Sequence, residues 1–111
     1  MVLLKISYRV RTHHMSEFED IFHREVLPLL RERNIRFKGI WRTLVGNAGE
    51  YLELWEFNSA AEFEEQWKQL MADPRLHKIF ESTGPMVEGE NLALFEPTRG
   101  QSTPGWGRYS V

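Results

Sequence analysis

Few side chains in this sequence combine a type and a position that suit catalysis. Glu53 and His77 are the two groups that we identify as able to take a proton from a phenol. Symmetric pairing of a predicted hairpin sets Arg42 opposite Glu53, with Arg9 on a further strand nearby. Such a charged pair in a sheltered apolar setting can bind or polarise a small ligand, and a structural cross-strand salt bridge is the other interpretation.

Metal ligands are scarce along the chain. His13 and His14 are adjacent, and Glu19 and His23 lie one helical turn apart, a spacing that can place two ligands on one ion. The sequence supplies no convincing third ligand and contains no cysteine, so we predict no metal site. It also lacks a phosphate-binding glycine loop, a nucleophile elbow and a zinc signature, which argues against nucleotide hydrolysis and acyl transfer.

Composition and charge limit the class of protein. The 111 residues suffice for one domain with a proper core. The net charge of −2 conceals an uneven distribution, because residues 1–46 hold nine basic and five acidic side chains, whereas residues 47–111 hold five and eleven. The basic residues alternate with apolar ones, so we expect no nucleic-acid partner. The lack of cysteine, of a leader and of an apolar run of about 20 residues predicts a cytoplasmic protein without a membrane partner.

Hydropathy patterns predict the order of the elements that position these side chains. Strand patterns occur at residues 2–10, 35–45, 51–57 and 91–96. Helical periodicity occurs in two stretches, one between the first and second of these strands and one between the third and fourth. The order β-α-β-β-α-β is that of the ferredoxin-like α+β fold. Right-handed crossovers then place both helical stretches on one face of a four-stranded antiparallel sheet.

Capping signals predict where the helices begin and end. Ser16 and Ser59 are each followed three residues later by Glu, which predicts two capping boxes. Asp73 followed by Pro74 predicts that a new helix begins within the second helical stretch. Asn34 is expected to close the first stretch, and Pro28 inside it predicts a kink.

The two faces of the predicted sheet differ in composition. The face that we expect the helices to cover carries Phe37, Trp41, Val45, Leu52 and Leu54. The opposite face is expected to carry Lys38, Ile40, Arg42, Leu44, Tyr51, Glu53, Trp55 and Phe57, joined by Leu3, Lys5, Ser7 and Arg9. An exposed apolar sheet of this size exceeds what monomers tolerate, so we predict a homodimer through this face.

Several segments of the chain resemble one known family. They are Val26-Leu27-Pro28-Leu29-Leu30, Gly39-Ile40-Trp41, the run 50–57, Ala72-Asp73-Pro74 and the closing run 92–97. Over residues 2–97 the chain thereby resembles the NIPSNAP family of dimeric α+β barrels. The resemblance implies a homodimer in which two sheets close a barrel with the helices outside, and it implies no general reaction.

The same superfamily contains heme-degrading monooxygenases, which this chain resembles in one respect. They have a Trp on the second helix and a His ten residues later, as at Trp67 and His77. They also use an Asn on the first strand, where this chain has Ser7, which cannot supply the amide donor. We therefore expect no cofactor, with heme as the alternative, and we expect Trp67 either to form a pocket wall or to pack in the core.

These observations favour a homodimer that binds a small apolar or aromatic ligand. The expected binding residues are Arg9, Arg42, Trp55 and Trp67. Two other classes stay open: a monooxygenase or isomerase of the dimeric α+β barrel type, and a structural or adaptor dimer without a ligand. Residues 1–97 are expected to form one domain, and residues 98–111 a flexible tail in which Trp106 and Tyr109 are candidate anchors.

Overall fold

The computed structural model describes residues 1–99. The elements in chain order are β1 (Val2–Val10), α1 (Met15–Ile21), α2 (Leu27–Glu32), β2 (Arg36–Arg42), β3 (Glu50–Phe57), α3 (Ala60–Met71), α4 (Pro74–Thr83) and β4 (Val87–Phe95). The strands form one antiparallel sheet in the order β2-β3-β1-β4. The predicted ferredoxin-like α+β fold is confirmed. The predicted tail, with Trp106 and Tyr109, lies almost entirely outside the described residues.

Alternation along β1 sets the core of the molecule. Its even-numbered residues from Val2 to Val10 are buried, as the period of two predicts. They pack with the apolar residues of the helices, which include Phe18, Leu30 and Leu70. The helices therefore cover the face of β1 that the sequence predicts.

The predicted register of the β2–β3 hairpin is wrong. Arg42 lies opposite Tyr51, two residues away from the predicted partner Glu53. β2 ends at Arg42 and an irregular loop follows, in which Gly49 has a φ of +86°. A side chain at this glycine would collide with the carbonyl oxygen of Val10. The close approach of the loop to β1 thus fixes a register that symmetric pairing about the turn does not predict.

The prediction of which hairpin residues face the helices is also wrong. β1 pairs with β3 so that Leu4 lies opposite Trp55 and Ile6 opposite Glu53, and paired residues share a face. The residues of β3 that lie under the helices are therefore Tyr51, Glu53, Trp55 and Phe57, all buried. Leu52 and Leu54 lie on the opposite face, which we call the open face. A register shift after Phe37 separates that residue from Trp41, which lies on the open face.

The capping predictions succeed at one helix and fail at another. Ser59 accepts a hydrogen bond from the Glu62 amide at 3.1 Å and begins α3, as predicted. Ser16, by contrast, is not the cap of α1, because a short 3₁₀ turn over Thr12–His14 leads directly into the helix. The Glu19 carboxylate, predicted to complete that capping box, instead accepts hydrogen bonds from Tyr51 and Arg42.

A π-helical turn over Phe22–Val26 separates α1 from α2. In this wider turn the amide of Leu27 donates to the carbonyl of Phe22, five residues back. The turn immediately precedes Pro28, which has no amide hydrogen to donate. Asn34 then adopts a left-handed conformation with a φ of 56° and closes the helical stretch, as predicted.

The open face of the sheet has an apolar centre. The residues there are Leu3, Trp41, Leu52, Leu54, Ala93 and Phe95. Trp41 is 50% exposed and Phe95 is 49% exposed. The face therefore has an apolar centre, as predicted; β1 contributes the predicted residues, whereas those from β2 and β3 differ from the prediction. Within residues 1–99, none of the helices has the length and hydropathy that crossing a membrane requires.

Candidate functional site

A cavity of about 510 Å³ lies between the helices and the sheet. Six aromatic side chains line it: Tyr8, Phe18, Phe22, Trp55, Trp67 and Phe80. Aliphatic side chains from β1, α2, α3 and α4 complete most of the wall. The π-helical turn contributes Phe22 and Val26, so the irregularity before Pro28 shapes part of this wall.

The opening of the cavity lies between the end of α4 and the beginning of β4. The exposed residues of the lining cluster there: Phe80 and Gly84 on one side, and Glu88, Gly89 and Glu90 on the other. Gly89 has a φ of 66°, a conformation that favours glycine, and the pairing of β4 with β1 is irregular at this level. A ligand therefore has a path from solvent into the apolar interior.

Glu53 is the one buried carboxylate in the described part of the cavity lining, and it is 5% exposed. Its Oε2 accepts a hydrogen bond of 2.5 Å from the Tyr8 hydroxyl, and its Oε1 accepts one of 2.9 Å from the Trp55 indole. Burial raises the pKa of Glu53 to about 7, against the lowering effect of these two hydrogen bonds. Near neutral pH this group can therefore accept or release a proton.

Tyr8 holds one side of this carboxylate. Its ring stacks on that of Tyr51 at 5.9 Å, and Phe18 meets both rings edge to face. Burial, and then the neighbouring charge of Glu53, raise the pKa of Tyr8 far above its usual range. Tyr8 therefore stays protonated and acts as a hydrogen-bond donor to Glu53.

Two of the predicted binding residues, Trp55 and Trp67, form adjacent parts of the cavity wall. Their ring centroids lie 5.9 Å apart, and Trp67 also contacts Phe63 at 5.7 Å. Trp55 is 4% exposed, and its indole N–H is directed at Glu53. Trp67 is partly buried and packs against the core from α3. The structure thus brings Trp55, Trp67 and Glu53 together.

The other two predicted binding residues, Arg9 and Arg42, lie elsewhere. Both line a separate open groove of about 730 Å³. Arg9 is paired with Glu50 at 3.6 Å, and Arg42 donates to Glu19 at 2.6 Å. The predicted Arg42–Glu53 pair does not form, because the register places Arg42 beside Tyr51 and α1. The hydrogen bond from Tyr51, together with Arg42, lowers the pKa of Glu19.

His77 lies outside the cavity. It is exposed on α4, its Nε2 contacts the carbonyl of Met71, and it is not part of the lining. Because it does not line the cavity, the His77 ring cannot bind the iron of a heme held there. Ser7 faces the opposite way, since it pairs with Leu52 and Asn91 on the open face. Residues 1–99 contain no cluster of three or more side chains suited to a metal ion.

Sequence reasoning missed the contribution of Tyr8 and of the two glutamates at the opening. Tyr8 follows from β1 alternation, since every second residue from Val2 onward faces the helices and this one carries a hydroxyl. The position of Glu88 and Glu90 follows only from an irregular pairing of β4, which begins four residues earlier than predicted. No sequence signal identifies that irregularity apart from Gly89.

Comparison with known proteins supports one family. The NIPSNAP family model matches residues 4–100, whereas none of the curated proteins matches significantly. A NIPSNAP family protein of unknown function from Agrobacterium tumefaciens is 20% identical, with a TM-score of 0.82 over 92% of both chains. An uncharacterized NIPSNAP domain protein from Burkholderia xenovorans is also 20% identical, with a TM-score of 0.82 over 93% of this chain and 100% of that chain. A putative antibiotic biosynthesis monooxygenase from Deinococcus radiodurans is 11% identical, with a TM-score of 0.68 over 95% and 100%.

Proposed function

The chain belongs to the NIPSNAP family, and from this premise we propose that it is a homodimeric protein that binds a small apolar or aromatic ligand between its helices and its sheet. The observation that carries the proposal is the cavity of about 510 Å³. Protein interiors are close-packed, and small-molecule sites occupy roughly 300–1,000 Å³. A space of this size in so small a domain is therefore better explained as a binding site than as a packing defect.

The lining of the cavity favours an apolar or aromatic ligand. Aromatic rings bury a large area and pack in offset or edge-to-face arrangements, which suits flat ligands. Trp55 and Trp67 present such surfaces from two different elements, the sheet and α3. Glu53 supplies a polar group at a defined position, which fixes the orientation of a ligand as such groups do in small-molecule sites.

The homodimer is proposed from the open face. Trp41 and Phe95 are each about half exposed there, and Leu52 and Leu54 lie between them in the sheet. Arg36 and Glu56 form an ion pair at one end of this face, and Lys5 lies among the apolar residues, between Leu54 and Ala93, with its ammonium group over the Phe95 ring. An apolar centre with a polar rim is typical of protein–protein interfaces. A second copy packed on this face leaves the cavity, on the other side of the sheet, open to its ligand.

Ligand binding can be tested by calorimetric titration with naphthylmethanol, a neutral aromatic probe. We expect saturable binding by the wild-type protein and a loss of affinity of about tenfold in Trp67→Leu, since part of the aromatic wall is removed. Phe63→Leu is the matched control, because Phe63 lies one helical turn away and packs on the same side without lining the cavity. Equal losses in both variants, or no binding by the wild-type protein, would argue against the proposal.

A further inference from the structure

The charged residues of the cavity lining all have the same sign. Glu53 lies at the inner end and Glu90 at the opening. Glu88 also lines the cavity, but it lies opposite Arg9 in the sheet and borders the separate groove as well. No lysine, arginine or histidine lines the cavity within residues 1–99. The basic residues of β1 that lie near the same level, Lys5 and Arg9, belong to the opposite face of the sheet. A ligand that enters the cavity therefore passes the Glu90 carboxylate and meets that of Glu53.

The hydrogen bonds at Glu53 leave about two of its acceptor sites unused. An ionised carboxylate accepts about four hydrogen bonds, and Tyr8 and Trp55 supply one to each oxygen. Both of these partners are donors with no positive charge. The negative charge of Glu53 therefore has no counterion in the described structure, and no salt bridge involves it.

The neighbouring acidic groups repel one another. The charge of Glu90 adds to burial in raising the pKa of Glu53, and it also raises the pKa of Tyr8. A cation placed between these groups would remove the repulsion, whereas an anion would increase it. The aromatic walls add to this preference, because ring faces attract an ammonium group within about 6 Å of their centroids.

We propose that the ligand of this cavity is a hydrophobic organic cation, an amine whose ammonium group pairs with Glu53 while its apolar body packs against Trp55 and Trp67. This inference rests on the proposed function and adds the chemical class of the ligand. It excludes fatty acids and other apolar carboxylates as the preferred ligands. Glu90 at the opening attracts the cation, and its effect is screened by salt because it is exposed.

Three probes of similar shape and different charge test the inference. Naphthylmethylamine, naphthylmethanol and naphthoate are each titrated into the full-length protein by calorimetry at pH 8. We expect the amine to bind about tenfold more tightly than the alcohol, since hydrogen bonds between charged partners contribute at least this factor. Naphthoate is expected to bind more weakly than the alcohol. Equal affinities for the three probes overturn the inference and leave the proposed function standing, while no binding of any probe overturns both.

Variants at the carboxylates locate the selectivity. Glu53→Gln is expected to remove the preference for the amine over the alcohol, and circular dichroism of the variant is expected to match that of the wild-type protein, which shows that it is folded. Glu90→Gln, at the exposed opening, is expected to weaken amine binding by about threefold at low salt and by less at high salt. Glu81→Gln is the control, because Glu81 is exposed on α4 outside the cavity lining. An unchanged preference for the amine in Glu53→Gln would overturn the inference.

Discussion

Burial of the Glu53 carboxyl group costs the folded state free energy. A buried carboxyl group is stable in its charged form only with compensating partners, and Tyr8 and Trp55 donate to its two oxygens. An apolar side chain at this position would avoid the cost of burial. The retention of a carboxylate in an aromatic cavity is therefore consistent with a role in binding, as perturbed groups in clefts commonly indicate.

The raised pKa of Glu53 predicts a specific pH dependence of stability. The pKa is about 7 in the folded protein and 4.5 for an ordinary Glu, so between these values the folded state holds a proton that the unfolded state has released. The stabilisation of the folded state by this bound proton is complete below pH 4.5, decreases as the pH rises and is lost above about pH 7. Its maximum is about 3 kcal/mol, from the difference between the two pKa values. In Glu53→Gln, we expect the unfolding free energy not to show this decrease with rising pH.

Urea denaturation of the wild-type protein and Glu53→Gln at several pH values measures the effect. The difference in unfolding free energy between the two proteins isolates the effect of Glu53 from that of the ionisable groups that both proteins contain. The carboxylates with lowered pKa, Glu19 and Asp73, act in the opposite direction and at lower pH. A difference that stays constant from pH 4 to pH 8 would show that Glu53 does not have the raised pKa.

Asp73 joins three helices at one point. Its carboxylate caps α4 by accepting from the Arg75 amide at 2.8 Å, and it pairs with Arg33 after α2 at 2.8 Å. The hydrogen bonds from Arg75 and then Arg33 hold the pKa of Asp73 well below its usual range. Since α3 ends just before this residue, Asp73 fixes the relative positions of the helices that roof the cavity.

Replacement of Asp73 is expected to be more destabilising than loss of an ordinary cap. Ser59→Ala removes the exposed cap of α3 and is expected to cost about 1 kcal/mol. Asp73→Ala removes a cap together with the buried partner of Arg33, whose Nε has no hydrogen-bond partner. We therefore expect a larger loss in urea denaturation for Asp73→Ala. Similar losses for the two variants would mean that the contact with Arg33 contributes nothing.

The sequence predicts the elements better than their faces. Alternation in β1 and the caps at Ser59 and Asp73 depend on residues close in the chain, and each is confirmed. The covered face of β3 is not predictable in this way, because each of its two faces combines apolar residues with glutamate. The pairing of β3 with β1 decides the question, through contacts between residues about 50 positions apart.

Sequence patterns do not predict the cavity, for a similar reason. The periodicity identifies Trp67 and the other helical residues as facing the sheet, but it gives no distance between helix and sheet. That distance depends on the π-helical turn and on how α3 and α4 pack at Asp73. Trp55 and Trp67 both line the cavity, while Arg9 and Arg42 line the separate groove, so the four expected binding residues do not form one site.

The two sides of the sheet have different proposed roles in the whole molecule. The side under the helices holds the cavity, and the open face holds a largely uncovered apolar surface centred on Leu52 and Leu54. We expect light scattering coupled to size exclusion to give twice the 13.2 kDa of one chain at micromolar concentration.

Matched substitutions on the two sides locate the interface. Trp41→Glu places a charge on the open face and is expected to give a monomer. Phe80→Glu places one at the cavity opening and is expected to leave the dimer intact; the two rings are 50% and 46% exposed. A monomeric wild-type protein, or dissociation by Phe80→Glu alone, would be incompatible with the proposed interface.

The central claim, that the ligand lies between the helices and the sheet, is tested most directly by the indole N–H signals of the tryptophans. A proton–nitrogen correlation spectrum is recorded while naphthylmethanol is added to the wild-type protein. Trp55 and Trp67 line the cavity, and Trp41 lies on the opposite face. We predict that the Trp55 and Trp67 signals shift together and saturate while the Trp41 signal stays in place. A saturable shift of Trp41 with Trp55 and Trp67 unchanged would contradict the claim.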